Sequence, residues 1–215
     1  VERRVMAHFS QDASMIQAFV EDEDIHSATA REVFGEAGDE NRRAAKAINF
    51  GLIYGMSAFG LARNLGIPRG EAQQYIDTYF ARYPGVLSFM DTAKASAADK
   101  GYVETLMGRR LYLPDITARD QMRKRAAERV AINAPVQGSA ADLIKQAMID
   151  VQRLNDHDFP QVTMLLQVHD ELLFEVPDAQ VQDFAAALKP VMEASDLSVP
   201  LKVEIGSGQS WYEAH

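Results

Sequence analysis

Apolar residues recur at helical spacing over most of the chain up to about residue 154, and only after Pro160 do they gather into short continuous runs. Residues 12–34 read as helical, interrupted by the acidic run Glu21-Asp22-Glu23-Asp24. Asp39 and Glu40 place negative charge at the start of a helix from about Asn41 to Tyr54, where it favours the helix dipole, and Gly55 is a natural stop. Pro68 suits a first helical turn, with Ala72, Tyr75, Ile76, Tyr79 and Phe80 following on one face. Tyr83-Pro84-Gly85 ends that helix, and another is expected from Val86 to about Lys100. Tyr102 to Leu113 reads as a β-ribbon around Met107-Gly108. Arg119 to Asn133 is again helical, and Pro135 predicts a break before a further helix from about Val136 to Leu154. Val162 to Val168 and Leu172 to Val176 then form a hairpin signal with His169-Asp170-Glu171 at its tip, followed by a helix at about 178–194 and a last strand from Leu201 to Ile205. Helices dominate and a small antiparallel sheet comes late, so the expected class is α+β.

Composition narrows this picture only a little. The chain has 215 residues, 47% hydrophobic and 25% charged, which suits one large domain or two interleaved subdomains. There is no cysteine, which excludes disulfides and thiolate metal sites. No apolar run is long enough for a membrane helix, and no membrane partner is expected. The opening Val1-Glu2-Arg3-Arg4-Val5-Met6-Ala7-His8 has no signal-peptide character and reads as the middle of an element, so further chain is expected before it.

Charge changes the picture more. The net charge of −9 argues at first against a nucleic-acid partner, but its distribution argues the other way. Residues 1–41 carry a net −7 and residues 150–215 a net −9, whereas residues 42–149 carry a net +7. A positive middle between negative flanks suits an anion-binding face on an acidic body, although solvated basic helix faces would look the same.

Three groups of residues could carry chemistry. Arg42, Lys46, Phe50 and Tyr54 follow one another at intervals of four, and each such step drifts only about 40° around a helix, so they share one face. Two cations and two aromatics on one stripe could hold a triphosphate at one end and stack a base or sugar at the other. The alternative is two core aromatics with cations snorkelling beside them. His169-Asp170-Glu171 sets two adjacent carboxylates between apolar strands, which suits a hard cation such as Mg²⁺. Neighbours on a strand point to opposite faces, so one carboxylate should be the main ligand; an ordinary polar turn is the alternative. Arg129, Asn133 and Gln137 are polar positions four apart in an apolar segment, suited to base edges and sugars, with a helix cap at Asn133 as the competing reading.

These groups, in this order and at these spacings, resemble family A DNA polymerases of the bacterial DNA polymerase I type. Arg42-xxx-Lys46-xxx-Phe50-xxx-Tyr54-Gly55 is similar to the family's fingers-helix motif, Val168-His169-Asp170-Glu171 to its palm hairpin, and Val1 to Ser10 to the tail of its first palm motif. The likeness extends over Arg109-Arg110, Gln137-Gly138 and the ending Trp211 to His215. It implies a mostly helical fingers subdomain at 21–120 inserted in a palm made of 1–20 and 121–215. It also implies template-directed addition of deoxynucleotides to a primer 3′ end by two-metal nucleotidyl transfer, with release of pyrophosphate, in replication and repair. The implied partners are primer–template DNA and dNTPs, and the implied cofactor is Mg²⁺, two ions in the intact enzyme. The implied enzyme is a monomer in the cytoplasm of a bacterium or a phage-infected cell.

Carried over by position, Asp170 would be the metal ligand with Glu171 in support. Lys46 and Arg42 would bind the nucleotide's phosphates, Lys46 also serving as general acid to the leaving group, and His26 would contact the triphosphate. Phe50 would lie at the sugar, Tyr54 beside the insertion site, and Glu2 where it blocks a ribose 2′-hydroxyl. Arg129, Asn133, Gln137 and His169 would contact the primer–template. The family's other metal-binding Asp falls before the position of Glu2, upstream of Val1, as does the thumb, so these 215 residues alone are expected to make little DNA. A phage-type RNA polymerase and a non-catalytic DNA-binding module of the same fold are the rival readings; Glu2 favours deoxynucleotides over the first.

Overall fold

The computed structural model describes residues 1–214, and contacts divide them into two compact units: Glu2–Ser139, and Val1 together with the chain from Ala140 onward. The first unit opens with seven helices: α1 (Glu2–Ser10), α2 (Ala13–Val20), α3 (Ile25–Phe34), α4 (Asp39–Ile53), α5 (Ala58–Leu65), α6 (Arg69–Arg82) and α7 (Pro84–Lys100). Their starts follow from local chemistry. Asp12, Asp24 and Ser57 cap α2, α3 and α5 by accepting from the backbone N–H groups of Met15, His26 and Gly60. The acidic run after α2 is therefore a turn whose last member starts the next helix. Asp12 does more, because its other oxygen accepts from the N–H of Gly85 at 2.8 Å and so ties the first turn of α7 to that of α2. Gly85 has to be glycine there: a Cβ would lie 2.8 Å from the carbonyl oxygen of Ser10.

The β-ribbon forms where expected, with β1 (Tyr102–Glu104) antiparallel to β2 (Arg110–Tyr112) and Val103 opposite Leu111. Val103, Leu113, Ile116, Ala97, Ala127 and Ala131 bury one another in a core shared by the ribbon, α7 and the next helix. That helix, α8 (Gln121–Asp158), corrects the expected break: it runs 38 residues with Pro135 inside it. An interior proline costs about 3 kcal/mol or more through its missing N–H and its clash with the preceding turn. Here Ala131, Ile132 and Val136 are all buried around it, and each large apolar side chain recovers about 1.5–3 kcal/mol. Ser139 also donates to the Pro135 carbonyl at 2.6 Å while accepting from the N–H of Leu106, which seats the ribbon on the helix.

In the second unit the later part of α8 is followed by β3 (Thr163–Val168) and β4 (Glu171–Glu175), paired antiparallel with Val168 opposite Glu171 and an irregularity between Met164 and Leu166. Helix α9 (Val181–Glu193) and a short α10 (Trp211–Ala214) complete it. Val151, Val162, Phe184 and Leu188 form its core, with Phe159 and Phe174 packed edge-on against Phe184. The strand expected at Leu201 to Ile205 does not form. The N–H of Val203 donates to the Glu193 carboxylate at 2.8 Å instead of to a neighbouring strand. An apolar run becomes a strand only where a ladder partner is available.

Candidate functional site

The stripe on α4 exists as its spacing predicts. Ala45, Ile48, Asn49 and Leu52 are buried on one side of the helix, while Arg42 and Lys46 are exposed and Phe50 and Tyr54 half-buried on the other. The aromatics are thus not core residues in the ordinary sense. They border a cavity of about 470 Å³ that is also lined by Ser57, Asn64, Arg129 and Asn133. Arg42 is engaged: its Nε donates to Asp24 Oδ2 at 2.6 Å. Partial burial pushes the Asp24 carboxyl up, but hydrogen bonds from Arg42, Ser27 and the N–H groups of His26 and Ser27 outweigh this and hold it well below the usual carboxylate range.

Because α8 is unbroken, Arg129, Asn133 and Gln137 share a face more closely than a proline break would allow. Arg129 and Gln137 are exposed. Asn133 lies inside the helix, which removes the capping alternative; its Nδ2 donates to the Tyr54 carbonyl at 3.4 Å, and its buried Oδ1 has no hydrogen-bond partner. A buried, unpaired acceptor on a cavity wall suits a ligand that brings a donor. Glu2 is half-buried in the first turn of α1.

The second unit holds the carboxylates. His169 and Asp170 form the turn between β3 and β4, and Glu171 is already the first residue of β4. His169 takes a left-handed φ of +53°, uncommon for a residue with a side chain and a form of strain that concentrates at functional sites. The Asp170 side chain is 61% exposed. Among the described residues no group of three or more His, Asp and Glu is gathered in metal-binding geometry. Mg²⁺ asks for less, since it commonly takes one or two carboxylates and completes its shell with water and substrate phosphates, and Asp170 fits that role.

The pattern of DNA polymerase family A matches residues 1–213. This chain belongs to DNA polymerase family A. Relatives named DNA polymerase I from Pseudomonas aeruginosa and Bacillus subtilis are 52% and 48% identical, over all of this chain and 24% and 25% of their own lengths. The chain thus spans about a quarter of the curated relatives it matches. Among solved structures, the POL domain of Pol1 from M. smegmatis, in complex with DNA primer-template and dNTP, matches with a TM-score of 0.95 and 43% identity, over 100% of this chain and 39% of its own. No helix among the described residues of this family A chain is long and apolar enough to cross a membrane.

The family resemblance implied a triphosphate contact for His26 but said nothing of what holds the ring. The ring is buried, with Arg3 Nη1 2.9 Å from Nε2 and the Asn49 carboxamide 2.9 Å from Nδ1. Arginine can only donate, so Nε2 accepts and the proton sits on Nδ1. The Asn49 group turned to Nδ1 is then its oxygen, and its NH₂ donates to Thr29 Oγ1, 3.0 Å from the other end of the amide; a half-turn exchanges the two ends without moving the bulk. Burial, then the positive charge of Arg3, lowers the His26 pKa to about 4; Asp24 opposes this, and Arg42 and Lys46 add to it. Asn49 had a sequence signal, a polar residue amid Ala47, Ile48 and Leu52; Arg3 had none, because an Arg-Arg pair at a helix start is unremarkable.

Proposed function

We propose that this chain supplies the nucleotide-binding and much of the DNA-binding surface of a template-directed DNA polymerase, which extends a primer 3′ end with deoxynucleotides and releases pyrophosphate. The observation that carries the reading is the α4 stripe: two exposed cations at one end, and at the other two half-buried aromatics beside a cavity walled by Arg129 and Asn133. A triphosphate is a compact polyanion joined to a flat base. Lys46 and Arg42 bind the first part, Arg42 leaving Asp24 to do so, while Phe50 lies at the sugar and Tyr54 by the base. Stacking of that kind contributes about 1–3 kcal/mol without reading which base is present, so selection is left to template pairing.

Glu2, half-buried at the start of α1, excludes a ribose 2′-hydroxyl by its bulk. Lys46 Nζ hands a proton to the departing pyrophosphate oxygen, and His26 lies beside the phosphates. Arg129, Asn133, Gln137 and His169 hold the primer–template. Asp170 would hold Mg²⁺ with Glu171 in support, and two such ions would supply charge stabilisation for the transfer. In this reading residues 21–120 are fingers, and 1–20 with 121–215 are palm. The protein works as a monomer in the cytoplasm, in replication and repair.

The test uses the full-length natural protein and separates chemistry from binding. Asp170→Ala removes a metal ligand and leaves the basic residues untouched, so single-turnover extension in Mg²⁺ should fall by several orders of magnitude. Primer–template affinity, measured by anisotropy, should change little, because phosphate contacts come from Arg and Lys. Arg129→Ala should do the reverse, weakening duplex binding and flattening its salt dependence. Near-normal extension by Asp170→Ala would reduce the hairpin to a turn.

A further inference from the structure

Arg3 makes a set of contacts that packing alone does not explain. Its Nη1 donates to His26 Nε2 at 2.9 Å and its guanidinium carbon lies 5.5 Å above the Phe50 ring. The ring nitrogen is a neutral acceptor and the ring face an uncharged one. The nearby carboxylate, Asp24, is already bound to Arg42 at 2.6 Å. His26 therefore sits among three cations, Arg3, Arg42 and Lys46, with Asp24 the opposing charge, and Asn49, Thr29 and Phe50 are the uncharged groups around it. The remaining groups that act on Arg3 are Arg4, which repels it, and the buried, neutral Tyr79. Burial and Arg4 both work against the Arg3 charge, lowering its pKa from the usual guanidinium value. A half-buried cation in this setting has more to gain from an incoming anion than one that already holds a carboxylate.

We propose that Arg3 is a third cation of the triphosphate site, held on His26 Nε2 and over the Phe50 ring and transferred to a phosphate oxygen when a nucleoside triphosphate enters. The proposal rests on the nucleotide-site reading above and adds a residue to it. Guanidinium suits the exchange, since its planar fork meets phosphate oxygens with two parallel bonds, whereas a ring nitrogen offers it one lone pair. The move has a second effect. While Arg3 covers Phe50, one face of that ring is occupied; once Arg3 turns to phosphate, that face is open to the sugar. A ligand with a sugar but no phosphate chain cannot draw Arg3 away, so Arg3 favours triphosphates over nucleosides.

The experiment uses the full-length protein with Arg3→Leu, Arg3→Gln, Arg3→Lys and, in parallel, Lys46→Ala, and reads the apparent Kd for dNTP and the maximal rate separately by single-turnover extension. Loss of a charge-assisted phosphate contact predicts an apparent Kd raised about 10- to 100-fold in Arg3→Leu and in Arg3→Gln, which keeps a polar donor if the leucine variant fails to fold. The maximal rate should stay within about three-fold, because the contact is made in ground and transition states alike. Arg3→Lys should recover most of the affinity by restoring the charge. Unchanged Kd in Arg3→Leu and Arg3→Gln, or an equal loss in Arg3→Lys, overturns the proposal and leaves Arg3 a packing residue. If Lys46→Ala weakens dNTP binding while the Arg3 variants do not, only the role of Arg3 falls; if none of the four does, the nucleotide-site reading falls with it.

Discussion

Asn133, deep in α8, donates from Nδ2 to the carbonyl oxygen of Tyr54 at the end of α4, 79 residues earlier, at 3.4 Å. The contact gives a partner to a terminal helix carbonyl that would otherwise lack one, and it fixes the aromatic end of the α4 stripe against the helix that carries Arg129.

The same side chain leaves Oδ1 buried and unpaired, and that asymmetry yields a prediction. Replacing Asn133 with Leu leaves the Tyr54 carbonyl without that donor, at about 1–3 kcal/mol, but also removes an unsatisfied acceptor that costs about 1–3 kcal/mol. The two nearly cancel, so stability in denaturant should shift by less than about 1 kcal/mol. Primer–template affinity should nonetheless fall, by about ten-fold, because the acceptor offered to the ligand is gone. A large loss of stability with unchanged DNA affinity would make Asn133 a structural residue only.

Gly138 gives a prediction of opposite character. It lies inside α8, where alanine would normally gain about 1 kcal/mol in helix propensity. A Cβ there would meet Thr105 Cγ2 at 2.6 Å, so Thr105 has to rotate or the ribbon to shift, and overpacking of that kind costs about 1–3 kcal/mol. Gly138→Ala should therefore destabilise despite its better propensity. Adding Thr105→Ser removes the offending methyl and keeps the hydroxyl that accepts from Arg109 N–H, so the double variant should recover to at least wild-type stability. Additive losses in denaturant unfolding would mean that the two residues do not meet.

How far the sequence could be read is visible in such pairs. Asp24 before α3 and Gly55 after α4 are local signals, and the helices start and stop close to where those residues sit. The α4 stripe was legible because its period is the helix period. Pro135 misled because a local rule met a non-local answer: the ribbon and Ser139 hold the helix together across the proline, and residue 106 cannot be heard at residue 135 by periodicity. Leu201 to Ile205 misled for the converse reason, since strand character is settled by a partner strand. The partnership of Arg3, His26 and Asn49 spans three helices and has no spacing at all.

That partnership makes the last prediction, which concerns pH. Protonated His26 would present an N–H at both ring nitrogens, one of them to the Arg3 guanidinium, and burial with Arg3, Arg42 and Lys46 lowers its pKa from 6.5 to about 4. The unfolded chain takes up this proton near the ordinary value and the folded chain only near the lowered one. The unfolded state thus binds more protons in between, so the stability tied to His26 is fully present above about pH 6.5 and is lost as pH falls toward 4. The window accounts for up to roughly 3 kcal/mol, at 1.36 kcal/mol per pH unit. Asp24 is also depressed, but its contribution persists until pH falls below the ordinary carboxylate range, so the two do not overlap. Two measurements on the full-length protein check this. The histidine ring resonance that disappears in His26→Gln should stay neutral between pH 8 and 5. Denaturant unfolding at pH 7 and pH 4.5 should show a smaller acid loss in His26→Gln than in the wild type. A His26 resonance with a midpoint near 6.5 would mean that the ring is neither buried nor held by Arg3 as described.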